Sequence, residues 1–298
     1  MNLSSPLSPT VRAAVITALS STFALSSTLL AADEKPMFPD ASQHASITQR
    51  VGLTDVSIEY SRPDKRGREI FGGLVPYGQV WRTGANSPTK IKFSEPVKIE
   101  GKEVAAGEYA FYTLPNENEW TIILSKNLKL WGAYGYKPDA DELRVQVKPI
   151  VLPKTVETFT IGFDDLKDDR ATISLEWDKT RVPVELTTDT MAQVSKNIAT
   201  AMEKPESVKP TFYYQAAGFY YDHDKDLEQA AKWVDQAIAK QDPPRYFMYY
   251  KKAQIEAKLG HKAEAKAAAE KSIELIKAGE NPDASAIRNS QLLIDGLR

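Results

Sequence analysis

The residues with most chemistry in this 298-residue chain crowd into one stretch, 60–88. Arg82 and Asn86 flank Thr83-Gly84, a spacing at which a turn aims a guanidinium and an amide to one side. Arg62, Arg66 and Arg68 add positive charge, and Tyr60, Tyr77 and Trp81 add flat apolar faces. A guanidinium fork matches carboxylate or phosphate groups bidentately. Aromatic faces beside amide donors suit sugar rings or extended peptides. The stretch therefore reads as a site for a polar, anionic organic ligand: a saccharide, a peptide or an organic acid. Arg62, Arg82 and Asn86 would make the polar contacts, and Tyr77 and Trp81 the stacking surface. The competing reading makes Trp81 and Tyr77 plugs of a core beneath a long loop. The arginines then bond backbone carbonyls or pair with Glu59 and Asp64. A second aromatic patch, Trp131-Gly132-Ala133-Tyr134-Gly135-Tyr136, is placed to close the same surface.

Other constellations carry less. Acid–base chemistry would draw on Glu59, Asp64, Glu108 or Glu119, the basis of a rival reading as a hydrolase or lyase acting on envelope or extracellular glycans. No catalytic residue can be named. Asp222-His223-Asp224-Lys225-Asp226-Leu227-Glu228 opens like a calcium loop, but Leu227 stands where glycine is required and Trp233 where the closing Glu belongs. It reads as an inter-helix turn in which Asp224 or Asp226 caps the next helix. Asp164, Asp165, Asp168 and Asp169 read as a polar hairpin turn. His44, His223 and His261 lack a second histidine at helical ligand spacing. There is no cysteine, which removes disulfides, thiol nucleophiles and thiolate metal sites. Neither a nucleophile elbow nor a glycine-rich phosphate loop is present. No metal and no cofactor are expected. Past residue 32 the chain holds 37 basic against 40 acidic residues, too even for a nucleic-acid-binding face.

These side chains must be held by strands. From His44 onward apolar residues alternate: Val56, Ile58 and Tyr60; Ile91 and Phe93; Tyr109 and Phe111; Leu143, Val145 and Val147; Phe159, Ile161 and Phe163; Ile173, Leu175 and Trp177; Val182, Val184 and Leu186. Turn formers separate them, and about ten short strands with one polar face predict an antiparallel β-sandwich over residues 38–188. The long loop, rich in Gly, Pro and aromatics, is the exception, and such loops inside compact domains are usually functional.

The same residues carry a resemblance. Val51-Gly52-Leu53-Thr54-Asp55-Val56, Tyr60-Ser61-Arg62-Pro63, and the run from Gly67-Arg68 through Phe71-Gly72-Gly73-Leu74-Val75-Pro76-Tyr77-Gly78 to Val80-Trp81-Arg82-Thr83-Gly84-Ala85-Asn86 resemble the DUF2911 family. Ala106-Gly107, Tyr109, Trp120-Thr121, Trp131-Gly132-Ala133 and Phe159-Thr160-Ile161 extend the likeness across residues 38–186. The resemblance implies export and a sandwich fold, and supplies no catalytic residue.

After Thr188 the period becomes 3.6. Met191, Val194, Ile198 and Ala201 share a helix face, with Thr188 or Asp189 as cap, and residues 189–210 read as that helix and a linker. Over residues 211–298, Gly218, Tyr221, Ala230, Val234 and Ala237 recur 35 positions on as Ala253, Glu256, Ala265, Ala269 and Ser272. This is similar to the tetratricopeptide helix–turn–helix. A closing helix is expected at 283–296, burying Ile287, Leu292 and Leu293. The whole is thus an α+β multidomain chain, a sandwich followed by a tetratricopeptide-like helical domain. The helices either pack on the sandwich or dock a protein partner, and a purely structural envelope scaffold is the remaining alternative.

Residues 1–32 read as a secretory signal peptide. Arg12 is the only charge, 13–30 are uncharged, and Ala31 and Ala32 precede Asp33-Glu34-Lys35. Cleavage near Ala32 would release a periplasmic or secreted protein with no transmembrane segment.

Overall fold

Alternation of apolar and polar residues becomes ten antiparallel strands in two sheets. The computed structural model describes residues 38–297, so the signal-peptide expectation lies outside the described residues. The first sheet runs β1(Gln43–Val51), β2(Thr54–Arg62), β3(Thr89–Phe93), β6(Gly107–Leu114), β7(Trp120–Ser125), β8(Asp141–Val147). The second runs β5(Lys102–Val104), β4(Val97–Ile99), β10(Arg170–Thr188), β9(Ile150–Asp164). Their inward faces supply one core: Ile58, Ile91, Phe111 and Ile122 from one sheet meet Phe159, Ile161, Leu175 and Val184 from the other. The expected strands at 171–177 and 182–186 are one strand, β10, whose register against β9 shifts around Asp178. That residue takes a positive φ of 52°, a local bend that lets a long strand coil without ending.

The edge of β9 is capped where it borders the first sheet. The Tyr60 hydroxyl accepts from Ile161 N at 3.0 Å and donates to Ile161 O at 3.2 Å, so a side chain stands in for a neighbouring strand. Past β2 the backbone takes over, with Phe159 N donating to Pro63 O and Lys65 N to Glu157 O. Farther along, residues 150–156 pair with β10 alone, and Ile150 and Val151 are exposed there.

Six helices follow: α1(Thr190–Met202), α2(Pro210–Asp222), α3(Leu227–Lys240), α4(Tyr246–Leu259), α5(Lys262–Lys277) and α6(Ala284–Gly296). Asp189, Asp226 and Asp283 each accept a backbone N–H as N-cap, satisfying donors a helix start leaves open. The hairpins α2–α3 and α4–α5 repeat the 35-residue spacing. Ala230, Val234 and Ala237 are fully buried, as are Ala265, Ala269 and Ser272. Small side chains there let helices approach closely. In α6, Leu293 and Ile294 pack on Ala253, Ala268 and Ala269, while Leu292, expected inside, is exposed. It lies on the next face of the helix turn. No helix among the described residues is long and apolar enough to cross a membrane.

Sheets and helices meet at the β1–β2 turn. Gly52 there has φ +58°, and a Cβ on it would lie 1.9 Å from Thr190 Oγ1 and 2.5 Å from Asp168 O. Thr190 Oγ1 donates to Asp168 O, Gln193 Nε2 to Thr54 Oγ1, and His223 Nε2 lies 3.3 Å from the Asp168 carboxylate.

Candidate functional site

The long loop separates its residues between two faces of the first sheet. Trp81 N and O both bond Thr113, so residues 80–82 run as a short strand beside the end of β6, and side chains alternate. Trp81 points between the sheets, among Phe71, Trp120, Phe159 and Trp177. Val80 packs on the opposite, outer face, against the cluster formed by Ala110, Tyr112 and Ile123. Arg82 shares that outer face.

The other predicted ligand contacts are placed as follows. Arg62 donates from Nε to Phe159 O and from Nη2 to Thr160 Oγ1, tying β2 to β9. The Asn86 amide donates to Ser42 O and Ser61 Oγ, toward β1 and β2. Tyr77 packs its ring against Gly72 and is partly exposed, its hydroxyl pKa raised by burial and by Glu117 and Glu69. Arg82 donates from Nη1 to Asn86 O at 2.7 Å. Its Nε and Nη2 have no protein partner among the described residues. Arg66 and Arg68 bond carbonyls of 41, 64 and 65. Of the acids, Asp64 accepts from Thr158 and Glu108 faces Lys90, while Glu59 and Glu119 are exposed.

What meets Arg82 is the second aromatic patch. The β7–β8 connection folds back over the outer sheet face, anchored by Leu128, Leu130, Ala133 and Tyr136. Gly132 approaches the guanidinium so closely that a Cβ there would lie 3.0 Å from Arg82 Cζ. Tyr112 Oη donates to Gly132 O, locking the connection to the sheet beneath. Trp131 and Tyr134 project outward, 69% and 93% exposed.

Three functional candidates escape sequence reasoning. Tyr112 and Tyr136 rings lie 5.4 Å apart, and Tyr136 Oη donates to Asp141 Oδ2 while accepting from Arg144 Nη1 at 2.7 Å. Arg144 Nη1 also reaches Asp141 Oδ2 at 2.9 Å. In a regular strand Asp141 and Arg144, three apart, would face opposite ways. A register shift pairs Ser125 with Asp141 although Leu124 pairs with Leu143, so both fall on the outer face. The only signal in the sequence for Asp141 and Arg144 is their place shortly after the aromatic patch; Tyr112, in β6, has none, and the bulge leaves none.

The electrostatics follow from this packing. Burial, then the Asp141 hydrogen bond, pushes the Tyr136 phenol well above its ordinary range, so it stays a donor. Burial also raises Tyr112, opposed by Arg82 and assisted by Asp141, which places Tyr112 between a cation and an anion. The ensemble of Arg82, Tyr112, Tyr136, Asp141 and Arg144 can bind and orient a polar group under an aromatic flap. Of the loop's residues, Val80 and Arg82 meet the patch; the others face the core or the neighbouring strands.

Residues 42–186 match a family described as a protein of unknown function, DUF2911. No curated protein and no solved structure matches the chain.

Proposed function

We propose, taking the DUF2911 region as a rigid scaffold, that this protein is an exported, non-catalytic binding protein of the periplasm or cell exterior. It holds a polar or anionic organic ligand on the outer face of its first sheet. Arg82 supplies the guanidinium, and Trp131 and Tyr134 the stacking faces. The observation that carries this reading is two exposed aromatics on the flap, whose Gly132 rests on an arginine with donors unused among the described residues. Exposed aromatic surface rimmed by polar groups is a common mark of an interaction site.

A thermal-shift screen of the purified protein against saccharides, short peptides and organic acids tests it. A ligand present at 100 times its Kd adds about 2.7 kcal/mol to folding stability. One class should raise Tm in the natural protein and fail to do so in Trp131→Ala, whose unliganded Tm is unchanged. Silence from every class overturns the reading.

A second reading concerns the helices, which we infer act as a tetratricopeptide-like array docking a protein partner. The observation favouring it is an aromatic row on the first helices of successive hairpins: Tyr214 lies 5.1 Å from Phe247, which lies 5.9 Å from Tyr246. A partner captured by the full chain should be lost in Phe247→Ala. Retention of the partner would remove the reading.

A further inference from the structure

Four strands lie at sheet edges, β1 and β8 in the first sheet, β5 and β9 in the second. Three of them are shielded. Lys102 Nζ donates to Arg144 O on the free side of β8, and β5 is three residues long. β9 is covered in part by residues 63–65 and carries Pro153 beyond them. Short strands, lysines and prolines are the usual means of closing a sheet edge.

β1 has none of these. It pairs with β2 over all nine residues, from Gln43 with Arg62 to Val51 with Thr54, without proline, glycine or bulge. The two-residue turn Gly52-Leu53 makes Val51 and Thr54 a hydrogen-bonded pair, so Gln49, Ile47, Ala45 and Gln43 also direct their main chain at β2. The bond from Ser94 N to Asp55 O, on the far side of β2, follows the same alternation. His44, Ser46, Thr48 and Arg50 therefore turn their N–H and C=O groups to the open side. Arg50 O is taken by Gln49 Nε2, while the main-chain groups of His44, Ser46 and Thr48 have no partner among the described residues.

The strand is complementary to itself. Ile47 is its middle residue, and an antiparallel copy centred there overlaps all nine. Ser46 then exchanges main-chain bonds with the partner's Thr48, and Thr48 with the partner's Ser46. Ile47 meets the partner's Ile47 in a non-hydrogen-bonded pair, the kind whose side chains come closest. Ala45 and Ile47, which stand half-buried at the rim of the core, are covered in the process. His44 falls opposite the partner's Arg50. That guanidinium is already bound by both oxygens of Asp55, and Arg50 is the one Lys, Arg, Asp or Glu of the strand, so no unpaired like charges meet.

We propose that β1 is a docking edge for a second copy of this chain, joining two six-stranded sheets into one across a two-fold axis at Ile47. Main-chain pairing supplies the affinity, and the same patch serves both copies. The proposal does not depend on the ligand reading above.

Analytical ultracentrifugation of the purified protein over a concentration series tests it. A species of twice the monomer mass is expected. It should be lost in Ser46→Pro, which removes an open-side N–H at an edge position where proline is tolerated, with circular dichroism unchanged. The chain has no cysteine, so one introduced thiol reads the register. Cα atoms of a non-hydrogen-bonded pair lie about 4.5 Å apart, within disulfide range. Mild oxidation should therefore link Ile47→Cys into covalent dimers and leave Gln43→Cys unlinked, since the two copies of residue 43 would stand about 27 Å apart. A monomer at every concentration overturns the proposal, whether or not some other chain binds along β1. So does a dimer that persists in Ser46→Pro, or one that links as readily through Gln43→Cys as through Ile47→Cys. Should Ser46→Pro fail to fold, the two cysteine variants decide.

Discussion

Trp81 stacks on Trp177, ring centroids 5.8 Å apart and planes 17° from parallel, so a residue from the long loop is a plank of the core between the sheets. Phe71, Trp120 and Phe159 close around the pair edge-on. The indole N–H donates to Gly84 O, which satisfies its one polar atom inside.

Trp81→Ala is accordingly expected to cost about 3–5 kcal/mol of stability, the usual range for emptying a large aromatic from a core. Urea unfolding gives the number. A loss below about 1 kcal/mol would mean that the ring is dispensable to packing.

Gly52→Ala separates sheet from helix. Positive φ alone costs a non-glycine residue about 1–3 kcal/mol, and the new Cβ meets Thr190 Oγ1 and Asp168 O. The expected outcome is a lower unfolding midpoint with the helices melting before the sheets, seen by circular dichroism against tryptophan fluorescence. A single unshifted transition would refute it.

Tyr136→Phe deletes the hydroxyl that donates to Asp141 and accepts from Arg144. The remaining buried carboxylate then has one donor for two oxygens. A loss of about 1–3 kcal/mol is expected, the cost of an unsatisfied buried polar group. Tyr134→Phe, on the exposed end of the flap, serves as the silent comparison.

Stability should fall from neutral to alkaline pH through His261. Its Nδ1 lies 2.8 Å from the Glu256 carboxylate, whose side chain is nearly buried in α4. That hydrogen bond, with the charge of Glu256, Glu228 and Glu264, raises the histidine above its ordinary 6.5. A group whose native pKa is raised contributes fully below the unfolded value and loses its contribution as pH climbs through the native one. Tm should thus decline above pH 6.5, and Glu256→Gln should flatten that part of the profile. A natural protein with no decline in this window would contradict the assignment.

Much of this architecture was readable in the residues because it depends on local period. Alternation at Val56, Ile58 and Tyr60 becomes β2, and the 35-residue recurrence of Ala230 as Ala265 becomes two helix hairpins. Asp189 and Asp226 cap where short oxygen-bearing side chains precede helical periodicity. The candidate site was legible in part. Arg82 and the patch at 131–136 stand out by type, yet whether Arg82 or Trp81 faces outward depends on one bridge to Thr113. Asp141 and Arg144 share a face through a register shift, a property of the strand pair and of neither residue. Arg62 and Asn86 look like ligand contacts because a guanidinium or an amide serves a backbone carbonyl as well as a ligand. Their partners in the fold, at Phe159, Ser42 and Ser61, are distant in the chain and leave no local signal.

The half-covered edge of β9 bears on how the protein survives at high concentration. Where residues 63–65 do not reach, an open ladder with Ile150 and Val151 in solvent is a template for intermolecular pairing. Pro153, which has no N–H to offer, interrupts that ladder, and Lys154 beside it sets like charges against each other if two copies approach. Pro and Lys at such positions are the residues that guard an open strand edge against fibril-like stacking.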